Sequence, residues 1–139
     1  MTSENEKSGA AKLEISREEA ENIFYEFLER NFEIGRDDVE RNEQKVEFAQ
    51  KIIVGIINKR FIFADDSVVY KLKFPVGSIS EITLKTRIKI GKTPTSAKDT
   101  QMVQVLKVIE SYANTPLVIL QDLDVFDFTR ISALISFFA

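Results

Sequence analysis

A chain of 139 residues, 44% apolar and 29% charged with few Gly and Pro, has the make-up of one small globular domain with a modest core. It contains no Cys and no His, which excludes disulfides and thiolate chemistry and removes the usual near-neutral general base and the commonest zinc ligand. The net charge of −3 is unevenly placed: residues 1–50 hold fourteen acids against seven bases, and residues 51–92 hold nine bases against three acids, so an acidic front and a basic middle either attract one another or mark two partner surfaces.

Residues 1–15 are polar and aperiodic and are expected to form a disordered lead-in to a single α+β domain over 16–139. Ser16 with Glu19 three residues later reads as a capping box, and Ala20, Ile23, Phe24, Phe27, Leu28 and Phe32 follow helical spacing. Gly35 is the expected stop. Asp37 then opens a second helix to about Lys59, with Val46, Ala49, Ile53, Ile56 and Ile57 as its apolar stripe. The two helices over 16–60 are expected to pair antiparallel.

Residues 61–92 read as a β-hairpin or meander. Phe61 and Phe63 alternate in a short first strand, and Asp65, Asp66 and Ser67 make a turn. Tyr70, Leu72 and Phe74 alternate with Lys71 and Lys73, Pro75, Gly77 and Ser78 break the pattern, and Ile82, Leu84, Ile88 and Ile90 resume it. Strict alternation gives one oily and one basic face. Such a hairpin is marginal alone, so the helices on either side are expected to cover the oily face.

Residues 96–139 read as helical. After a loop containing Pro94, a third long helix starts near Ser96 or Lys98, with Met102, Val105, Leu106, Ile109, Tyr112 and Ala113 inward. Thr115-Pro116 opens a short helix through Leu120, and Asp124 caps the last one. That last helix is apolar around much of its circumference. Only one stripe can face the core, so the rest is expected to meet a second copy or a client. Phe126, Leu134, Phe137 and Phe138 are the expected contact residues, with Phe126 and Phe137 as exposed anchors. The alternative is that the N-terminal pair covers this helix within one monomer.

The remaining signals point away from catalysis. Gly91-Lys92-Thr93 resembles the tail of a phosphate-binding loop, but Thr86 stands where the pattern needs Gly, and Pro94 lacks an N–H. Asp122, Asp124 and Asp127 form the densest carboxylate cluster, yet Phe126 takes a calcium loop's third ligand place. Helix capping and a first-turn dipole role explain Asp124 and Asp127 more simply. Lys71, Lys73, Lys85, Arg87, Lys89 and Lys92 form a basic strand face without interleaved aromatics, so a nucleic-acid role is disfavoured. No apolar run spans a membrane and no signal-peptide core is legible, so a soluble, cytoplasmic, non-enzymatic protein without metal or cofactor is expected.

From Tyr70 to Phe138 the sequence resembles the tail-assembly chaperones of Mu-like and related contractile-tailed phages. The resemblance rests on Tyr70-Lys71-Leu72-Lys73-Phe74-Pro75, Ile82-Thr83-Leu84-Lys85, the helix from Met102 to Ala113, Thr115-Pro116 and Leu123-Asp124-Val125-Phe126-Asp127-Phe128, in that order. The family has Arg-x-Pro after its second strand, where this chain continues Thr86-Arg87-Ile88-Lys89, and the N-terminal helix pair lies outside the resemblance. The resemblance implies a chaperone in the host cytoplasm that holds the tape-measure protein soluble while the tail tube assembles. A small nucleic-acid-binding module and a structural virion component are the alternatives.

Overall fold

The computed structural model describes residues 15–87, 100–113 and 115–138, and within them the fold is α+β. Helix α1 (Arg17–Phe32) opens at Ser16, whose hydroxyl accepts the Glu19 N–H at 3.1 Å. It buries Ala20, Phe24, Phe27 and Leu28 on one stripe. Glu33, not Gly35, ends it in the left-handed conformation (φ 55°), so that its N–H and that of Ile34 satisfy the last carbonyls. Gly35 instead caps the next helix.

The expected long second helix is two. A short α2 (Arg36–Glu40) ends at Arg41, and α3 (Glu43–Ile57) restarts behind Asn42. The Asn42 side chain accepts the Lys45 N–H at 3.1 Å, and this local bond competes with continuing the helix. Ile52, surplus to the expected stripe, is buried with Ile53 and Ile56. Gly55 lies against the Phe61 ring, where a Cβ would fall within 2.7 Å of Cε2. Lys59 (φ 61°) reverses the chain directly into the sheet.

Three antiparallel strands follow in the order β1 (Phe61–Phe63), β2 (Ser67–Val76), β3 (Ile79–Lys85). Gly77, at φ 58°, takes the first central position of the two-residue turn between Val76 and Ile79, where a side chain would be strained. The alternation holds: Phe61, Val68, Tyr70, Leu72, Ile82 and Leu84 are buried, while Ile62, Lys71, Thr83 and Lys85 face out. Phe74 departs from it. A break in register between Lys71 and Val76 turns its ring out to 46% exposure. The expected positions of Ile88, Lys89, Ile90 and Lys92, and the Gly91-Lys92-Thr93 turn, lie outside the described residues, as does the lead-in over residues 1–14.

Helix α4 (Gln101–Tyr112) is capped by Thr100, later than expected, and buries Leu106, Ile109 and Tyr112 while Met102 stays out. Pro116 takes the cap of α5 (Leu117–Leu120), displacing Thr115 from that role, and the Glu110 carboxylate receives the Leu117 N–H. Asp124 accepts the Phe126 N–H at 2.8 Å, as a cap for α6 (Val125–Phe138).

α6 runs through the centre of one core that draws on every element. Its chief neighbour is α3, with β2 and α4 also against it. This corrects the expected partner surface. Leu134 is fully buried, and Phe137 and Phe138 are 5% and 8% exposed. Phe137 meets Phe24 edge-on at 5.3 Å, while Phe138 stacks on Phe32 at 5.0 Å and contacts Phe27 and Tyr112. The N-terminal helices supply the cover that the apolar circumference of α6 requires, because burying each such side chain is worth roughly 1.5–3 kcal/mol.

Candidate protein-binding site

Asp127 shows how the site is positioned. Its carboxylate is wholly buried and accepts three hydrogen bonds: the Tyr70 hydroxyl at 2.6 Å and the backbone N–H groups of Lys73 and Phe74, each at 3.0 Å. The first-turn placement expected from the sequence is correct, but the side chain does more than meet the helix dipole. It satisfies two strand amides that the irregular register of β2 leaves without a ladder partner. It thereby fastens the start of α6 to the sheet. Burial, followed by the bond to Asp127 and that carboxylate's negative charge, pushes the Tyr70 hydroxyl well above its ordinary pKa.

Asp122 and Asp124 do not join Asp127; both are exposed, and Asp124 is engaged as a cap. Among the described residues no group of three acids is placed to hold a metal ion.

With α6 fixed, its first turn forms one wall of an open groove of about 390 Å³. Met102 and Leu106 of α4, Leu120 at the end of α5, Leu123, and Val125 and Phe128 of α6 line it. Val125 is 76% and Met102 55% exposed, and Val118 on α5 adds a further exposed aliphatic side chain. Among the described residues the lining carries no charged side chain. Chemically this is a desolvation surface for apolar side chains. A neighbouring groove of about 490 Å³ between α4 and α6 is lined by Val105, Val108 and Ile135 with Ser132 and Ser136.

Phe126, the remaining expected anchor, is half-buried on a different side of α6 and already has partners. Arg130 lies 3.4 Å from its ring centroid, Lys73 4.5 Å and Arg60 5.8 Å, with Phe74 edge-on at 6.3 Å. Aromatics therefore do stand beside the basic strand residues, contrary to the sequence expectation. However, the Phe126 ring is engaged by the protein's own cations rather than left free to stack on a base. Arg87 is likewise engaged, donating to the Asn31 carbonyl at 2.6 Å.

The groove residues Met102, Leu120, Leu123 and Val125 were not singled out as a site in the sequence. The available signal was the uninterrupted aliphatic run Leu117-Val118-Ile119-Leu120, too long for one face of a single helical turn. Compared with known proteins, the chain matches no family model, no curated protein and no solved structure.

Proposed function

We propose that this protein is a non-enzymatic binding protein that acts as a tail-assembly chaperone of contractile-tailed phages, holding an amphipathic helix of the tape-measure protein in the groove between α4, α5 and α6. The observation that carries the reading is the apolar groove, uncharged among the described residues and rimmed by the exposed Met102 and Val125. An apolar helix face, presenting side chains at i, i+3, i+4 and i+7, fits such a surface. The chaperone identity is supported by the ordered resemblance from Tyr70 to Phe138. Nucleic acid binding is the weaker reading, since the aromatic nearest the basic strand residues is taken by Lys73 and Arg130.

Co-expression with a tape-measure protein tests this. The wild-type chain is expected to keep that client soluble and to co-purify with it. Met102→Glu and Val125→Glu place a charge at exposed positions, so each is expected to fold normally and lose capture at least tenfold. Undiminished capture by both variants, or a client that stays insoluble with the wild type, overturns the proposal.

A further inference from the structure

β1 is an edge strand, and among the described residues nothing pairs with its outer side. The sheet order leaves β1 bonded to β2 alone. Lys71 N–H donates to the Arg60 carbonyl, and Ala64 N–H donates to the Ser67 carbonyl, each at 2.8 Å. Between these, Ile62 lies opposite Val69. In an antiparallel ladder only alternate residues exchange bonds with a given neighbour. Positions 60, 62 and 64 therefore face β2, and the N–H and C=O groups of Phe61 and Phe63 point the other way. Among the described residues no hydrogen bond satisfies them.

An open groove of about 360 Å³ runs along this edge. Residues from both faces of the sheet line it: Phe61 and Phe63 from the buried face, Ile62 and Lys71 from the exposed one. A cavity touching both faces of one strand lies at its edge. Ile15, Ile23 of α1 and Ile56 of α3 contribute its apolar wall on the helix side, and Lys59 stands at the same groove. Among the described residues no acidic side chain lines it. Among the described residues neither Lys59 nor Lys71 is in an ion pair.

We propose that the free edge of β1 docks an extended segment of a partner protein in which apolar and acidic residues alternate. The segment adds a fourth strand by bonding to the outward N–H and C=O groups of Phe61 and Phe63. Side chains of an added strand alternate between faces. Its apolar residues then enter the wall formed by Ile23 and Ile56, and its acidic residues reach the side where Lys71 is exposed. The occupant is assigned by that charge complementarity together with the open backbone edge. This site shares no residue with the α4–α5–α6 groove, so it stands or falls independently of the chaperone reading.

The test uses the full chain and two fluorescent eight-residue peptides, one alternating Val and Glu and the other alternating Val and Lys. The Val-Glu peptide is expected to bind at least tenfold more tightly, and the double variant Lys59→Glu/Lys71→Glu to reverse that preference. N-methylation of alternate peptide amides is expected to weaken binding at least tenfold, because it removes the inter-strand donors while leaving side chains in place. In ¹⁵N spectra, hydrogen exchange at the Phe61 and Phe63 amides should slow on adding the Val-Glu peptide, whereas the Ile62 amide, already bonded to β2, should change little.

Equal affinity for the two peptides, or no binding of either, overturns the proposal. So does binding indifferent to N-methylation. Phe61 and Phe63 amides already protected in the free protein would also overturn it, assigning the edge to a second copy if sedimentation shows a dimer and to the chain itself if it shows a monomer.

Discussion

The Tyr70 hydroxyl and the Asp127 carboxylate, 57 residues apart in sequence, meet in a buried hydrogen bond of 2.6 Å. The same carboxylate holds the Lys73 and Phe74 amides, so one side chain joins the middle of the sheet to the first turn of α6. The three acids that look alike in the sequence are thereby unequal. Asp127→Ala is expected to destabilise the fold by about 3–5 kcal/mol, since it leaves buried donors unsatisfied. Asp124→Ala loses a cap, about 1 kcal/mol, and Asp122→Asn changes stability by about 0.5 kcal/mol or less. Urea unfolding of the three variants measures the order. A loss at Asp127 no larger than that at Asp124 would remove its role as a clamp.

Alkaline pH should destabilise the protein through its tyrosines. The Tyr70 hydroxyl is raised by burial and by the Asp127 bond and charge, and Tyr25 and Tyr112 are raised by burial first. Between the unfolded value near 10 and the higher folded values, the unfolded chain has released protons that the native one retains. Their stabilising contribution is therefore full below pH 10 and is lost as pH climbs toward the folded values, at up to about 1.4 kcal/mol per pH unit for the fully buried Tyr70. Tyr70→Phe is expected to make that decline shallower by about one proton. An unchanged slope across pH 10–12 would show that Tyr70 does not contribute.

Gly55 of α3 lies directly against the Phe61 ring of β1. Replacing it with Ala gains helix propensity but drives a methyl into the Phe61 ring, which is buried and cannot swing away. Overpacking of this kind is expected to cost about 1–3 kcal/mol, reversing the sign that propensity alone predicts. Thermal unfolding of Gly55→Ala would count against the tight contact if the variant proved as stable as the wild type.

Phe137→Asp is expected to unfold the monomer rather than release a partner. The substitution removes the edge-on contact with Phe24 and puts a charge where the side chain is 5% exposed. Loss of the aromatic ring alone is worth about 3–5 kcal/mol, and the buried carboxylate adds to it. Circular dichroism and a urea titration read this directly. A well-folded Phe137→Asp monomer would mean that the C-terminal turn of α6 is not part of the core.

Local chemistry legible in the sequence determined most elements of this protein. Ser16 and Asp124 act as helix caps, the period of two from Tyr70 to Leu72 and from Ile82 to Leu84 sets the buried face, and Gly77 makes the hairpin turn. Each is a matter of a few neighbouring residues and their own backbone, so spacing suffices to read it. The Asn42 cap is missing from the sequence reading, because its competition with the longer helix depends on a balance that pattern alone does not resolve.

The tertiary structure decided which apolar surface is left over. An apolar residue on a helix says that something must cover it, not what. Phe137 and Phe138 are covered by Phe24, Phe27 and Phe32 from the far end of the chain, and Met102 and Val125 are left uncovered. Asp127 followed the same rule, because two of the donors it serves arise from a strand irregularity 53 and 54 residues away. The edge position of β1 among the described residues was likewise beyond sequence reading, since it is set by sheet order, and sheet order depends on contacts between distant segments.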